Sequence, residues 1–128
     1  MGLGDVYKRQ ELQLIFDNVP SGILFKDANN KILRINEKAA AHMGTTVEKA
    51  EGASLYDLMP DQGKKFHDED LEIIASGVPQ TGHAENYSYA DGDNFWILKR
   101  KIPYTDSETG EQFIFTVAMD VTLSLIHI

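Results

Sequence analysis

Between Gly82 and Thr122 the chain offers three extended segments in succession, Ala84–Tyr89, Phe95–Tyr104 and Gln112–Val121. The first two are joined at Ala90-Asp91-Gly92-Asp93, the second and third at Asp106-Ser107-Glu108-Thr109-Gly110. Gly enters positive φ without steric cost and Asp bonds its own backbone, so both joints suit tight turns. The segments are rich in Tyr, Phe, Trp, Ile and Val, which fit a pleated, half-buried surface. The pattern predicts an antiparallel meander, with helices and two strands from the preceding residues laid across its concave face.

Within the second segment, alternation places Phe95, Ile97, Lys99 and Lys101 on one face and Trp96, Leu98, Arg100 and Ile102 on the other. Each face mixes apolar and cationic residues. If the first set faces inward, lysines point at the core, where an ammonium costs several kcal/mol unless paired. An anion is then required nearby: Asp70, Glu85, or a bound carboxylate or phosphate. An internal ion pair, or lysines that snorkel outward, satisfies the same pattern without a ligand.

The chain before the meander reads as short elements. Leu12, Leu14, Ile15 and Val19 suggest a brief amphipathic helix ended by Pro20. Ile23–Asp27 and Lys31–Ile35 are strands about a turn at Ala28-Asn29-Asn30, with Asp27 a turn residue. Asn36 caps the next helix and Gly44 closes it. Thr45-Thr46-Val47-Glu48 has capping-box spacing, Thr45 reaching forward, and Ser54-Leu55-Tyr56-Asp57 repeats the device. A longer helix runs from about Gly63 to Ser76, stopped by Gly77 and Pro79. At about 100° per residue its apolar stripe gathers Phe66, Ile73, Ile74 and Leu71. His67 and Asp70 fall in the same arc, three residues apart and able to touch. His42 and His83 read as surface residues.

The two ends read as foreign. Asp5–Gln10 and Leu123–Ile128 are encodable by reverse-complementary strings, an inverted repeat that resembles the transposon mosaic end of sequencing libraries. Residues 1–10 and 123–128 are therefore expected to be adaptor-like scars, and residues 11–122 a single domain cut from a longer protein. A domain of this size buries roughly two-thirds of its unfolded surface, enough for one core. The net charge is −8 and no basic stripe offsets it, which argues against nucleic-acid binding. No apolar run reaches membrane-spanning length. With no cysteine there is no disulfide, thiolate metal site or cysteine nucleophile, an absence that fits a reducing cytoplasm.

The order of helix, two strands, short helices, longer helix and three-strand meander resembles a PAS domain. Val19-Pro20-Ser21-Gly22-Ile23, Lys26-Asp27 and Asn36-Glu37-Lys38-Ala39-Ala40 look like the family's opening. Glu48-Lys49-Ala50-Glu51-Gly52, Ser76-Gly77, Asp91-Gly92, Trp96, Lys101-Ile102-Pro103 and Asp120-Val121-Thr122 look like its later landmarks. The resemblance implies an α+β fold, a five-stranded antiparallel sheet with short helices on one face, enclosing a cavity. It also implies a non-enzymatic sensory module that forms a homodimer through its N-terminal helix or sheet face. Its signal would pass to a downstream effector such as a histidine kinase or diguanylate cyclase, with Asp120 and Thr122 coupling output by tying the last strand to the first.

From these residues a ligand pocket is expected at Phe25, Met43, Tyr56, Phe66, Asp70, Ile74, Ile97, Lys99 and Lys101. Its ligand is not identified, and no metal site is expected. A flavin of the adduct-forming kind and a thioester chromophore are excluded by the lack of cysteine. Haem is disfavoured: some PAS sensors ligate iron from the longer helix, but His67 stands one residue from their position. Two alternatives remain, a ligand-free dimerisation and relay module, and a small α+β isomerase using His67 and Asp70 as acid and base.

Overall fold

The computed structural model describes residues 14–88 and 94–122. The segments read as scars, and the turn at residues 90–93, lie outside the described residues. Strand β1 (Gly22–Asp27) turns through Ala28-Asn29-Asn30 into β2 (Ile32–Ile35). Asn30 takes a left-handed φ of 69°, which Asn tolerates better than most residues. Helices α2 (Glu37–His42), α3 (Val47–Ala50), α4 (Leu55–Leu58) and α5 (Gly63–Ser76) follow a helical segment over residues 14–18, α1, and the first two strands. Strands β3 (Gln80–Thr81), β4 (Glu85–Ser88), β5 (Asn94–Thr105) and β6 (Gln112–Asp120) complete the chain.

The six strands form one antiparallel sheet in the order β2-β1-β6-β5, with β3 and β4 both on the outer edge of β5. β3 pairs with Arg100 and Lys101, and β4 with Asn94 to Ile97, so the two share one ribbon position. The PAS-like layout of five positions is therefore present, its edge broken in two. The meander is as expected, but β1 and β2 do not lie across it. They extend it edge to edge, Gly22–Asp27 pairing with Phe113–Ala118, because a strand's backbone groups are satisfied by a ladder and not by a sheet face.

The caps hold these elements in place. Asn36 Oδ1 accepts from Ala39 N at 3.0 Å and from Ile23 N at 2.9 Å. Its Nδ2 donates to the carbonyls of Phe16 and Ser21, so one buried side chain joins α1, β1 and α2. The capping box at α3 is displaced by one: Thr46, not Thr45, accepts from Lys49 N. Gly77 ends α5 in the left-handed conformation, φ 69°, its N–H donating to Ile73 O. The stripe of α1 is also displaced. Leu14 and Ile15 are exposed, and Phe16 is the buried residue, with the Arg34 guanidinium 4.8 Å from its ring centre.

The apolar core joins β2 to the helices: Ile32, Ile35, Ala39, Ala40, Ala50, Leu55 and Phe66. Fully burying an Ile or Leu contributes roughly 1.5–3 kcal/mol. At α5 the buried face is Gly63, Phe66, Asp70 and Ile73, while Leu71 is exposed. Gly63 allows α5 to start against α4, since a Cβ there would sit 2.8 Å from Leu55 O. Gly63→Ala should therefore lower stability by about 1–3 kcal/mol, the cost of overpacking; an unchanged urea midpoint would show that α4 and α5 separate freely.

Candidate ligand-binding site

The inner face of the sheet carries an unusual set of side chains. On β1, alternation points Leu24 and Lys26 inward. On β5 it does the same for Phe95, Ile97, Lys99 and Lys101. Facing them, α5 projects Phe66 and Asp70, one helical turn apart on the same side. Asp70 Oδ1 accepts from Lys101 Nζ at 2.5 Å, and Oδ2 meets Lys26 Nζ at 2.5 Å, an ion contact poorly aligned for a hydrogen bond. Lys26 Nζ donates at 2.6 Å to Asn30 Oδ1, whose Nδ2 reaches Gly63 O at 3.3 Å. Lys26, Asn30 and Asp70 are all at most 2 % exposed.

Lys99 completes the group. Its Nζ lies 3.8 Å from the centre of the Phe66 ring. Burial, reinforced by the Lys101 charge, lowers its ammonium to about 8. Burial also lowers Lys26, with Asp70 opposing the shift. Glu69 is half exposed and stands 3.8 Å from Lys101 Nζ.

These residues line a cavity of about 90 Å³. Its polar end is Lys26, Asp70, Lys99 and Lys101; its apolar end is Leu24, Met43, Leu55, Met59 and Ile97. A cavity of about 150 Å³ takes benzene, so this one suits a compact molecule. Phe66, Ile97, Lys99 and Lys101 also line a groove of about 250 Å³ between α5 and the β3–β4 edge, rimmed by Glu69, Glu72 and Glu85. Lys99 and Phe66 thus stand in the wall between chamber and groove.

Of the residues expected at the pocket, Met43, Phe66, Asp70, Ile97, Lys99 and Lys101 are brought together. Phe25, Tyr56 and Ile74 are not. Phe25 lies on the outer sheet face, stacked on Phe115 at 4.3 Å and near Phe113 at 5.2 Å. Tyr56 is 42 % exposed and meets His67 edge-on, and Ile74 is half-buried outside the cavity lining. His67 packs on Tyr56 and Asp70 turns to the lysines, so these two do not form the expected pair. His42 is not a surface residue. It lines the cavity, stacks on Phe95 at 5.1 Å, and burial with the Lys38 charge lowers its pKa. Lys26 and Asn30 escape a sequence reading, because Ile23 and Phe25 make the other face of β1 equally apolar. A lysine inside that run was the available signal.

Asp120 and Thr122 form a separate cluster. Asp120 Oδ1 accepts from Thr122 N at 3.0 Å and Oγ1 at 2.6 Å, which lowers the Asp120 carboxyl. Thr122 Oγ1 accepts from Trp96 N at 2.9 Å, and Val121 N donates to Trp96 O. The side-chain bonds therefore fasten the end of β6 to the start of β5, not to β1, since Ile97 is the residue opposite Asp120. Among the described residues there is no group of three or more His, Asp or Glu able to hold a metal. None of their helices is long and apolar enough to cross a membrane.

Two predictions follow from the charges. Asp70→Asn removes the buried counter-charge of Lys26 and leaves Lys101 only the half-exposed Glu69; it should cost roughly 3–5 kcal/mol, whereas the triple replacement K26M/D70L/K101M should cost far less. Urea unfolding of the two variants decides between this and a carboxylate of no consequence. For Lys99, the unfolded chain holds a proton up to about pH 10 and the folded chain only to about 8. The unfolded state binds more protons in that window, so the lysine's penalty is full below it and relieved as pH rises through it. The stability of the wild type relative to K99M should therefore improve from about pH 8 to about pH 10; a difference independent of pH contradicts the assignment.

The comparisons agree with this architecture. The family model of the PAS fold matches residues 16–124. Among curated proteins none matches the chain. Among solved structures, the VqmA dimer of Vibrio cholerae is similar with a TM-score of 0.76 at 20 % identity, over 90 % of this chain and 52 % of that one. VqmA is also seen bound to DPO. The PAS domain of Bordetella pertussis BvgS gives 0.73 at 19 % identity, over 94 % and 93 % of the two chains. A domain of a sensory box sensor histidine kinase/response regulator from Geobacter sulfurreducens gives 0.62 at 18 %, over 93 % and 100 %. This chain spans about half the length of the VqmA chain and nearly all of the isolated PAS domains, and at such identities the likeness carries the fold alone. With the family model matching most of its length, the chain belongs to the PAS fold family.

Proposed function

We propose that this chain is a sensory domain that takes a small anionic ligand, most simply a carboxylate, and does not itself catalyse a reaction. One observation carries the reading. Three lysines, Lys26, Lys99 and Lys101, converge on a chamber in which Asp70 is the one buried carboxylate among the described residues. In a chain of net charge −8 this gathers three cations around one buried carboxylate, with Glu69 and Glu85 on the groove side, in low-dielectric surroundings where a ligand anion interacts strongly. The apolar end would receive a short hydrocarbon body. Asp70 is tied to two lysines and His67 to Tyr56, an arrangement that favours recognition over acid–base chemistry.

In this reading β5 carries the signal. Lys99 and Lys101 touch the ligand, and Trp96 on the same strand is bonded to Thr122 at the end of β6. Asp120 and Thr122 would hand the change to an effector in a longer cytoplasmic protein, such as a histidine kinase or diguanylate cyclase. Membership of the PAS family supports such a modular role, and the aromatic outer sheet face or α1 would serve a homodimer. The DNA-binding receptor VqmA extends the range of outputs, although the acidic surface argues against nucleic-acid contact by this segment.

A second reading is a ligand-free relay, favoured by the pairing Asp70 already gives Lys26 and Lys101. Native mass spectrometry of protein purified from cells separates the two. A retained anionic molecule, lost in K101M and K99M, is the expected result. A bare wild-type chain would favour the relay, and unchanged retention in both variants would place the ligand elsewhere.

A further inference from the structure

Lys99 is placed for more than charge recognition. It projects from β5 into the wall shared by chamber and groove, so the amine borders both spaces. Two residues along the same strand face, Lys101 presents a second ammonium, itself held by Asp70. The adjoining lining is the Phe66 ring, 3.8 Å from the amine at its centre, and Ile97, which reduce the amine's contact with solvent. A carbonyl compound with a neighbouring carboxylate would thus have a nucleophile and an anion site side by side. The remaining titratable groups around Lys99 are Glu69, Glu72, Glu85 and His83 in the groove, and Lys26, Asp70 and His42 in the chamber.

We propose that Lys99 forms a reversible imine with a small 2-oxo acid, whose carboxylate is held by Lys101. The inference rests on the anion-binding reading of the cavity. The neutral amine's lone pair attacks the carbonyl carbon and the C=O pair moves to oxygen. A proton passes from nitrogen to that oxygen, giving a carbinolamine. Protonation of the hydroxyl then expels water as C=N forms, so amine and carbonyl give imine and water with no oxidant or reductant. A half-buried lysine beside another cation is a known way to keep an amine nucleophilic near neutral pH, and the lowering of Lys99 to about 8 agrees with it. The protonated imine keeps the positive charge over the Phe66 ring, so closure of the bond does not empty that contact.

The test uses the full chain with pyruvate and sodium cyanoborohydride, followed by peptide mass mapping, beside calorimetry with propionate, which has the carboxylate but no carbonyl. The expected result is one dominant reduced adduct, on Lys99, with a yield that rises between about pH 6 and pH 8. K99R keeps the cation and removes the nucleophile, so it should lose the adduct while retaining the wild-type circular dichroism. K101M should lower the yield about tenfold at limiting pyruvate, the scale of one charge-assisted contact. Adducts spread over the exposed Lys31, Lys38, Lys49, Lys64 and Lys65, or persisting in K99R, overturn the proposal. Propionate binding without an adduct rejects the imine and leaves the anion site standing; neither binding nor adduct rejects both.

Discussion

A single carboxylate decides how the two layers meet. Asp70 hangs from α5 over β6 and accepts ammonium groups from β1 on one side and β5 on the other. Those strands are not neighbours. With β6 between them their backbones stand about 9–10 Å apart, a span that two lysine side chains and one carboxylate can bridge from above. Desolvating three charges is expensive, and removing one partner costs more than the pair contributes. The arrangement is therefore weak as a source of stability and strong as a constraint. It fixes the rotation of α5 and the position of Phe66 one turn away.

That constraint explains why there is a chamber at all. At the β2 end the helices meet the sheet through the buried Ile32, Ile35, Ala40 and Ala50, while Ala39 and Leu55 of the same cluster border the cavity. At the β5 end the contact between helix and sheet runs through Asp70 and Phe66 to Lys99 and Lys101. Leu24, Met43 and Met59 are only half-buried around the resulting space. Two of them, Met43 and Met59, are flexible methionine chains of the kind that adapt to irregular gaps. The pocket is thus apolar where the core thins out and cationic where the ion pairs begin, and a ligand that matches it is amphipathic and short.

The sequence carried part of this plainly. Strict alternation in β5 places Phe95, Ile97 and Lys101 inside, and the period of α5 puts Asp70 in its buried stripe, so half of the bridge is legible from two local patterns. The other half is not. Lys26 sits in a strand whose two faces are nearly equally apolar, because β1 is covered by helices on one side and by Phe113 and Phe115 on the other. Periodicity says nothing where both faces are occupied. Nor can local pattern show that β1 lies beside the last strand, a pairing across most of the chain. The same blindness hid β3, two exposed residues whose pairing with Arg100 and Lys101 depends on the chain returning from α5. His42 was misplaced for a related reason: a last-turn histidine looks solvated until Phe95, far along the sequence, stacks against it.

The position of Lys99 bears on how such a site would report occupancy. Asp70 ties Lys101 and Lys26 into the resting structure, so a ligand that displaced either would meet the cost of reopening a buried pair. Lys99 is held differently, over an aromatic ring and within reach of the charges of Glu85 and Glu69, which lie on the groove side. An incoming anion would compete with those glutamates and draw the ammonium inward, away from the groove. Lys99 lies three residues from Trp96, about 10 Å along an extended strand, and Trp96 is where the Asp120–Thr122 cluster grips β5. In the proposed reading a shift in the twist of β5 would reach the end of β6 through this bond. In that reading the bridging carboxylate would serve as the fixed point and the third lysine as the moving one.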